Sequence, residues 1–481
     1  PCLPNAAGGV IMEKNGGTHL EDLSYKKKNV YEEADDATMG RIEAFAQKYK
    51  DFLSYAKTER DAVKLSVAMA ERAGYKPFRF GDTLAVGDKR YYNNRGKSLF
   101  LFTVGGEDIA RTGVRILAAH IDSPRLDIRP VPLYERAGGA FFKTHYYGGL
   151  KKYQWTAVPL ALHGIVSLSD GTVRDVIVGE DENDPVFYIS DLLPHLAQKQ
   201  SERKLAVGIE GEELNLWVGG MPEQKGEKEG QEKKEKDRVK ARVLRLLNQK
   251  YGIREEDFLT AELTAVPALK PRDVGFDGAY IAAYGHDDKV CAFPALMAQL
   301  EYEGKDTTMT VLADKEEIGS EGVTGMQCAV FTDLLAEICA ARGANERAGR
   351  AASACLSADV TSAYDPTFAD AFEKNNAAVC SCGVALMKYT GARGKSGSSD
   401  AGGEFMGRIA ARLNAAGVIW QTSELGKVDL GGGGTVAKYI ASKNIDTVDV
   451  GTPVISMHSP YELISKGDLY QTYFAFRVFF R

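Results

Sequence analysis

The chain has 481 residues, of which 44% are apolar and 26% charged, with a formal net charge of -6. At about 150 residues per domain this allows more than one core, with two as the starting expectation. A net-negative chain lacks the basic surface that nucleic acid requires, and no run approaches the roughly 18 uninterrupted apolar residues of a membrane span, so both partner classes are set aside. The seven cysteines, Cys2, Cys291, Cys328, Cys339, Cys355, Cys380 and Cys382, form no regular framework. Most lie in apolar sequence, where a thiol packs as a small hydrophobe. The N-terminal stretch PCLPNAAGGVIMEKNGG has neither the basic start nor the long apolar core of a signal peptide. A reducing, cytoplasmic setting is the expectation.

From Met39 to about Ala73, apolar residues recur every three or four positions (Ile42, Phe45, Tyr49, Phe52, Leu53), which predicts helices. KSLFLFTVG and VRILAAH follow as buried strands. Beyond His120, short β-rich runs broken by Gly and Asp turns (FFKTHYYGG, LALHGIVSLSDGTV, RDVIVGE, PVFYIS) predict a separate β-rich module. Within it, KGEKEGQEKKEKDR has too few apolar residues to fold alone and reads as a surface insertion; helical spacing resumes from Val239. From about Gly278, strands alternate with helical stretches (VCAFPALMAQLEYEG, MTVLAD, FTDLLAEICAARG, ACLSAD, FMGRIAARLNAAG, VISM), the pattern of a largely parallel sheet covered on both faces. The simplest architecture is an α/β domain of residues 1–128 and 276–481 interrupted by a β-rich insertion at 129–275, with a flexible surface loop at 221–238.

Several segments end apolar runs on metal-friendly side chains: His120 and Asp122 in AAHIDSPRLD, Asp287 in YGHDDKV, Glu316 and Glu317 in LADKEEIGSEG, Asp359 in LSADVTSAY, and His458 in GTPVISMHSPYE. Four of them sit just past expected strand ends, the carboxyl edge where open parallel sheets place their sites. Taken singly, each has a plainer reading. A lone His-x-Asp is more often structural, an adjacent glutamate pair is usually solvated, and Asp287 with Asp288 would serve as ordinary carboxylates at a helix start. Together they supply the imidazole and carboxylate donors that two divalent ions need, with one carboxylate to bridge and one free acid to handle protons. In such a site Glu317 binds an ion while Glu316 stays unligated, takes a proton from the bridging water and passes it to the leaving amine.

These motifs, from RYYNNRGKSLFLFTVGG through AAHIDSPRLDIRP, HDDKV, DKEEIGSEG, LSADVTSAYDP and SSDAGGEF to GTPVISMHSPYEL, resemble the aspartyl aminopeptidase and vacuolar aminopeptidase I family of two-zinc exopeptidases over nearly the whole chain. HYYGGLKKYQW and DPVFYISDLLPHL look most like its bacterial branch. The resemblance implies an α/β/α sandwich with a mainly parallel sheet and an inserted dimerisation domain. It implies a metallo-aminopeptidase with two zinc ions per subunit, for which cobalt or manganese can substitute, acting on peptides with a free N-terminus. It also implies dimers assembled into a tetrahedral dodecamer. By likeness, His120 and Asp359 would bind one zinc, Glu317 and His458 the other, and Asp287 both; Glu316 would be the general base and Asp122 the partner that orients His120. Lys388, His195 (reaching a neighbouring subunit's site) and Gly433 are the candidate substrate contacts. Both acidic and neutral N-terminal residues remain open as substrates.

Two other readings are weaker. TGARGKSG resembles a phosphate loop, but Tyr389 stands where a Walker loop needs its first glycine, and LGGGGTVA serves equally well as a tight loop beside a substrate backbone. A catalytically silent zinc-binding assembly protein of the same fold is the alternative function. Its mark would be a lost ligand, and none of the expected positions is substituted. His286 receives no role.

Overall fold

After the single helical turn Val30–Glu33, two longer helices lead the described part of the chain, which comprises residues 23–224 and 237–481 of this computed structural model. Asp35 caps Asp36–Tyr55 by accepting the Thr38 N–H, and Thr58 with Asp61 forms a capping box on Glu59–Arg72. Ile42, Phe45, Tyr49, Phe52 and Leu53 are all buried, as their spacing predicts. Phe45 stacks on Tyr473 at 4.3 Å between ring centroids and meets Phe293 at 5.4 Å, so the first helix packs against His286–Leu300 and the last helix, Lys466–Phe480.

Those helices cover one face of a nine-stranded sheet. At its centre Thr307–Ala313, Val114–His120, Ala354–Ala358 and Asp446–Gly451 run parallel. Ser98–Thr103 and Val384–Met387 flank this quartet antiparallel, so the sheet is mixed at its margins. The two-residue period of a strand divides the side chains between faces. Leu99, Leu101, Leu117, Ala119 and Leu356 enter one core, and Phe100, Phe102, Ile116, Ala118 and Cys355 the other. Phe331, Leu334 and Ile338 of Val330–Ala341 close the second face. The result is the expected α/β/α sandwich.

A second sheet of six strands is antiparallel throughout and runs, in spatial order, Val173–Val178, Leu160–Ser167, Glu262–Pro267, Arg125–Arg136, Gly139–Tyr147 and Asn215–Gly219. It has its own core, including Leu126, Phe142, Leu162, Leu216 and Phe258, with Val239 and Val243 of Arg238–Tyr251 packed into it. PVFYIS, expected as a strand, makes only isolated bridges at Phe187 and Tyr188. Most of the surface loop expected at 221–238, and the N-terminal stretch with Cys2, lie outside the described residues.

A third, five-stranded sheet contains Arg272–Val274, Tyr280–Ala283, Glu462–Ser465, Pro453–Ile455 and Thr361–Ser362. It corrects one expectation: VISM does not end a strand of the central sheet. That sheet's strand stops at Gly451, and His458 lies in the turn between Pro453–Ile455 and Glu462–Ser465.

His163 joins the second sheet to the first layer. Its Nδ1 lies 2.9 Å from Asp61 Oδ2 on helix Glu59–Arg72, and its Nε2 3.0 Å from Glu180 Oε1. Burial alone would lower the imidazole pKa, but the bonds to Asp61 and Glu180 outweigh it and raise the pKa from 6.5 to about 8. A raised folded-state pKa stabilises fully below the unfolded value and fades as pH climbs through the folded one, here about 2 kcal/mol. The destabilisation caused by His163→Gln, measured by denaturant unfolding, should therefore be larger at pH 6 than at pH 9 by about that amount.

Candidate metal centre

Each expected ligand reaches the carboxyl edge of the parallel quartet by a different local device. His120 is the last residue of its strand, and its backbone N–H donates to Asp288 Oδ2 at 3.3 Å. Asp359 directly follows Ala354–Ala358. After Ala313 the chain turns through Lys315, whose φ of 67° ends any strand continuation, and enters the short 3-10 turn Glu316–Ile318. The glutamate pair therefore lies past the strand end, and both side chains turn to one cleft. Asp287 and Asp288 are joined by a cis peptide and have non-helical backbone angles at the start of His286–Leu300.

Asp287 occupies the middle. Its Oδ1 lies 3.1 Å from His120 Nε2 and its Oδ2 3.1 Å from His458 Nε2. Asp359 Oδ1 and Glu316 Oε2 lie 3.8 and 4.0 Å from His120 Nε2, and Glu317 Oε2 is 3.6 Å from His458 Nε2. Both histidines are held by their other nitrogen. His120 Nδ1 donates to the Asp122 carbonyl at 3.0 Å, with Asp122 Oδ1 at 3.4 Å, and His458 Nδ1 donates to the Gly149 carbonyl at 2.6 Å. A carbonyl only accepts, so each Nδ1 carries the proton and each Nε2 lone pair faces the carboxylates.

The donors of His120, Asp287 and Glu317 lie within 4.8 Å of one another, as do those of His120, Asp288 and Asp359. Asp287 Oδ1, Asp288 Oδ1 and Glu317 Oε1 are buried with no hydrogen-bond partner among the described residues. A buried carboxylate oxygen without a donor is expensive, and a divalent cation meets that need, so the residues fit zinc. Burial, with the Asp287 charge added, pushes Glu317 far above its usual range; burial does the same to Asp359. Glu316 rises to about 7 through burial and the charges of Asp122 and Asp287. Burial would also raise Asp287, but the positive charge that His120 and His458 carry when doubly protonated, and that a cation would replace, holds it well below the ordinary value.

Supporting residues come from far along the chain. Glu462 is fully buried and accepts the backbone N–H of His458 at 2.7 Å and of Asp287 at 3.1 Å, clamping two ligand turns together. Asp122 Oδ1 and Oδ2 accept the N–H groups of Glu316 and Glu317 at 3.1 and 3.2 Å. Buried Lys289 donates to Ser123 Oγ at 2.7 Å, and Ser123 donates to the Asp287 carbonyl at 2.6 Å. Sequence reasoning assigned no role to Glu462, Asp288, Ser123, Lys289, Tyr147 or Gly149. Several lie inside the quoted motifs, but nothing in their spacing points to partners so distant.

A cleft of about 510 Å³ opens on the cluster, walled by Met387, Thr390, Met457 and the Gly432–Gly434 loop. Gly432 has φ 108°, and a Cβ there would stand 2.2 Å from Ala392 Cα, so only glycine permits this close passage. Gly433 lines the cleft, and its N–H is already donated to the Thr390 carbonyl at 2.9 Å. Lys388 follows Met387, with Nζ 2.8 Å from Asp400. His195 is exposed in the turn Pro194–Leu196 and is not brought to this cleft by its own chain. His286 is structural: it stacks on Tyr49, bonds Tyr49 and the Ile281 carbonyl, and is held neutral by burial, with a pKa of about 3.

Known proteins share this arrangement of elements. Residues 52–480 match the family described as Aminopeptidase I zinc metalloprotease (M18). The probable M18 family aminopeptidase 1 of Clostridium acetobutylicum is 45% identical over 460 residues, covering 94% of this chain and 97% of the relative. The crystal structure of an M18 aminopeptidase from Thermotoga maritima superposes with a TM-score of 0.89 at 42% identity, covering 95% of this chain and all of the other. The mApe1 dodecamer of Saccharomyces cerevisiae shares the fold at 22% identity, with a TM-score of 0.73 over 91% of this chain and 96% of the other. With the match spanning nearly the whole chain and its relatives covered nearly end to end, the protein belongs to the M18 family of zinc metallo-aminopeptidases.

Proposed function

We propose that the chain holds two zinc ions and removes one residue at a time from peptides with a free N-terminus. The observation that carries this reading is the Asp287 carboxylate, with one oxygen toward each histidine. His120 and Asp359 hold one ion, Glu317 and His458 the other, and Asp287 contributes to both. When bound, a pair of divalent ions supplies Lewis acidity to the scissile carbonyl and lowers the pKa of a shared bridging water.

The chain's own groups do the rest. Glu316 lies 4.0 Å from His120 Nε2, just outside the donor groups of the two ions. It takes the proton of the attacking water and returns it to the leaving amine. Asp122 keeps His120 in the tautomer whose Nε2 is free. Met387, Thr390, Met457 and the glycine loop wall the cleft and orient the peptide; Lys388, and His195 from a neighbouring subunit, are the further candidates for contact with it.

The β-rich insertion, residues 129–275, serves as a dimerisation domain, and the dimers build a tetrahedral dodecamer. The dodecamer formed by the yeast relative supports this.

Glu316→Gln should keep both zinc ions by elemental analysis while kcat falls about 10²- to 10⁴-fold; unchanged turnover would remove Glu316 from the reaction. Chelation should abolish release of the first residue from a peptide panel, and added zinc should restore it. Metal-independent cleavage inside an N-terminally blocked peptide would overturn the aminopeptidase reading.

A further inference from the structure

The last strand residue before the Gly148–Gly149 turn belongs to the six-stranded sheet, yet it reaches the metal centre. Tyr147 ends strand Gly139–Tyr147, and its hydroxyl donates to Asp122 Oδ2 at 2.9 Å. Asp122 is fully buried, and its carboxylate also takes the N–H groups of Glu316 and Glu317. The Tyr147 ring is fixed by the Arg125 guanidinium, 3.9 Å from its centroid, and Arg125 is anchored at 2.9 Å by both Glu59 and Asp127. Two residues on, the Gly149 carbonyl takes the Nδ1 proton of His458. Gly148 between them has φ 73°, and a Cβ there would lie 3.2 Å from Glu317 Cβ and Oε2. Three consecutive residues of the inserted sheet thus touch both halves of the centre.

We propose that Tyr147, Gly148 and Gly149 are positioning residues of the metal centre, Tyr147 setting His120 and the Glu316–Glu317 turn through Asp122 and the Gly148–Gly149 turn setting His458 and Glu317. This rests on the two-zinc reading above. The β-rich insertion then has a second task besides assembly: it orients both metal histidines, and any displacement of its strand end is felt as metal affinity. A hydrogen-bond partner behind a metal ligand typically changes affinity by about 10- to 100-fold.

The test is stepwise zinc binding to the full chain, followed by competition with a chromogenic chelator. Tyr147→Phe keeps the ring on Arg125 and removes only the hydroxyl, and should weaken zinc binding by about 10-fold or more. Gly148→Ala should weaken it as well. Tyr147→Leu, which also removes the ring, controls for packing: loss of zinc in the Leu variant but not in the Phe variant would make Tyr147 a packing residue and overturn the proposal. A wild-type chain that binds two zinc ions and a Tyr147→Phe variant that binds them equally well would sink this inference alone. A wild-type chain that binds fewer than two would remove the reading beneath it too.

Discussion

A buried excess of negative charge at one edge of a parallel sheet governs this molecule. Asp287, Asp288, Glu317 and Asp359 are drawn together around two imidazoles, and three of their oxygens have no hydrogen-bond donor among the described residues. Such a cluster is unfavourable by several kcal/mol per uncompensated charge and persists only where the surrounding structure over-determines it. Burial pushes the pKa values of Glu317 and Asp359 far upward, a cost that a bound cation would relieve, because metal and proton compete for the same lone pairs.

What over-determines the cluster is a set of tethers from elements far apart in the chain. The quartet of parallel strands brings His120, the Glu316–Glu317 turn and Asp359 to one edge, as expected of open α/β sheets. His458 arrives from the third sheet, and Glu462 clamps its turn to Asp287 through two backbone N–H groups. Lys289 and Ser123 act from beneath Asp287. Each tether uses a group already buried, so little side-chain freedom is lost when the metals bind.

The inserted sheet shares that work. Its core is separate, yet His163 ties it to Asp61 of the first layer, Tyr147 ties it to Asp122, and Gly149 just beyond its strand end ties it to His458. A module that only mediated assembly could attach anywhere on the surface. This one enters the chain between His120 and Asp287 and leaves its strand end against both halves of the centre.

The local grammar of the chain was legible without any structure. Three- and four-residue spacing marked the helices around Phe45 and Phe52, and the apolar runs VRILAA, MTVL and ACLSA marked the parallel strands, because burial on two faces leaves no room for polar alternation. The candidate ligands were legible as residue types at the ends of those runs. The failures share one cause. VISM has the composition of a central strand but pairs in another sheet, and PVFYIS has β-propensity but no continuous neighbour. Pairing partners, turn handedness and hydrogen bonds such as Tyr147 to Asp122 or Glu462 to Asp287 depend on distances across the fold. The sequence by itself determined which side chains could bind a cation. Only the tertiary structure decided that one carboxylate faces both histidines, because that geometry arises where segments hundreds of residues apart meet at one sheet edge.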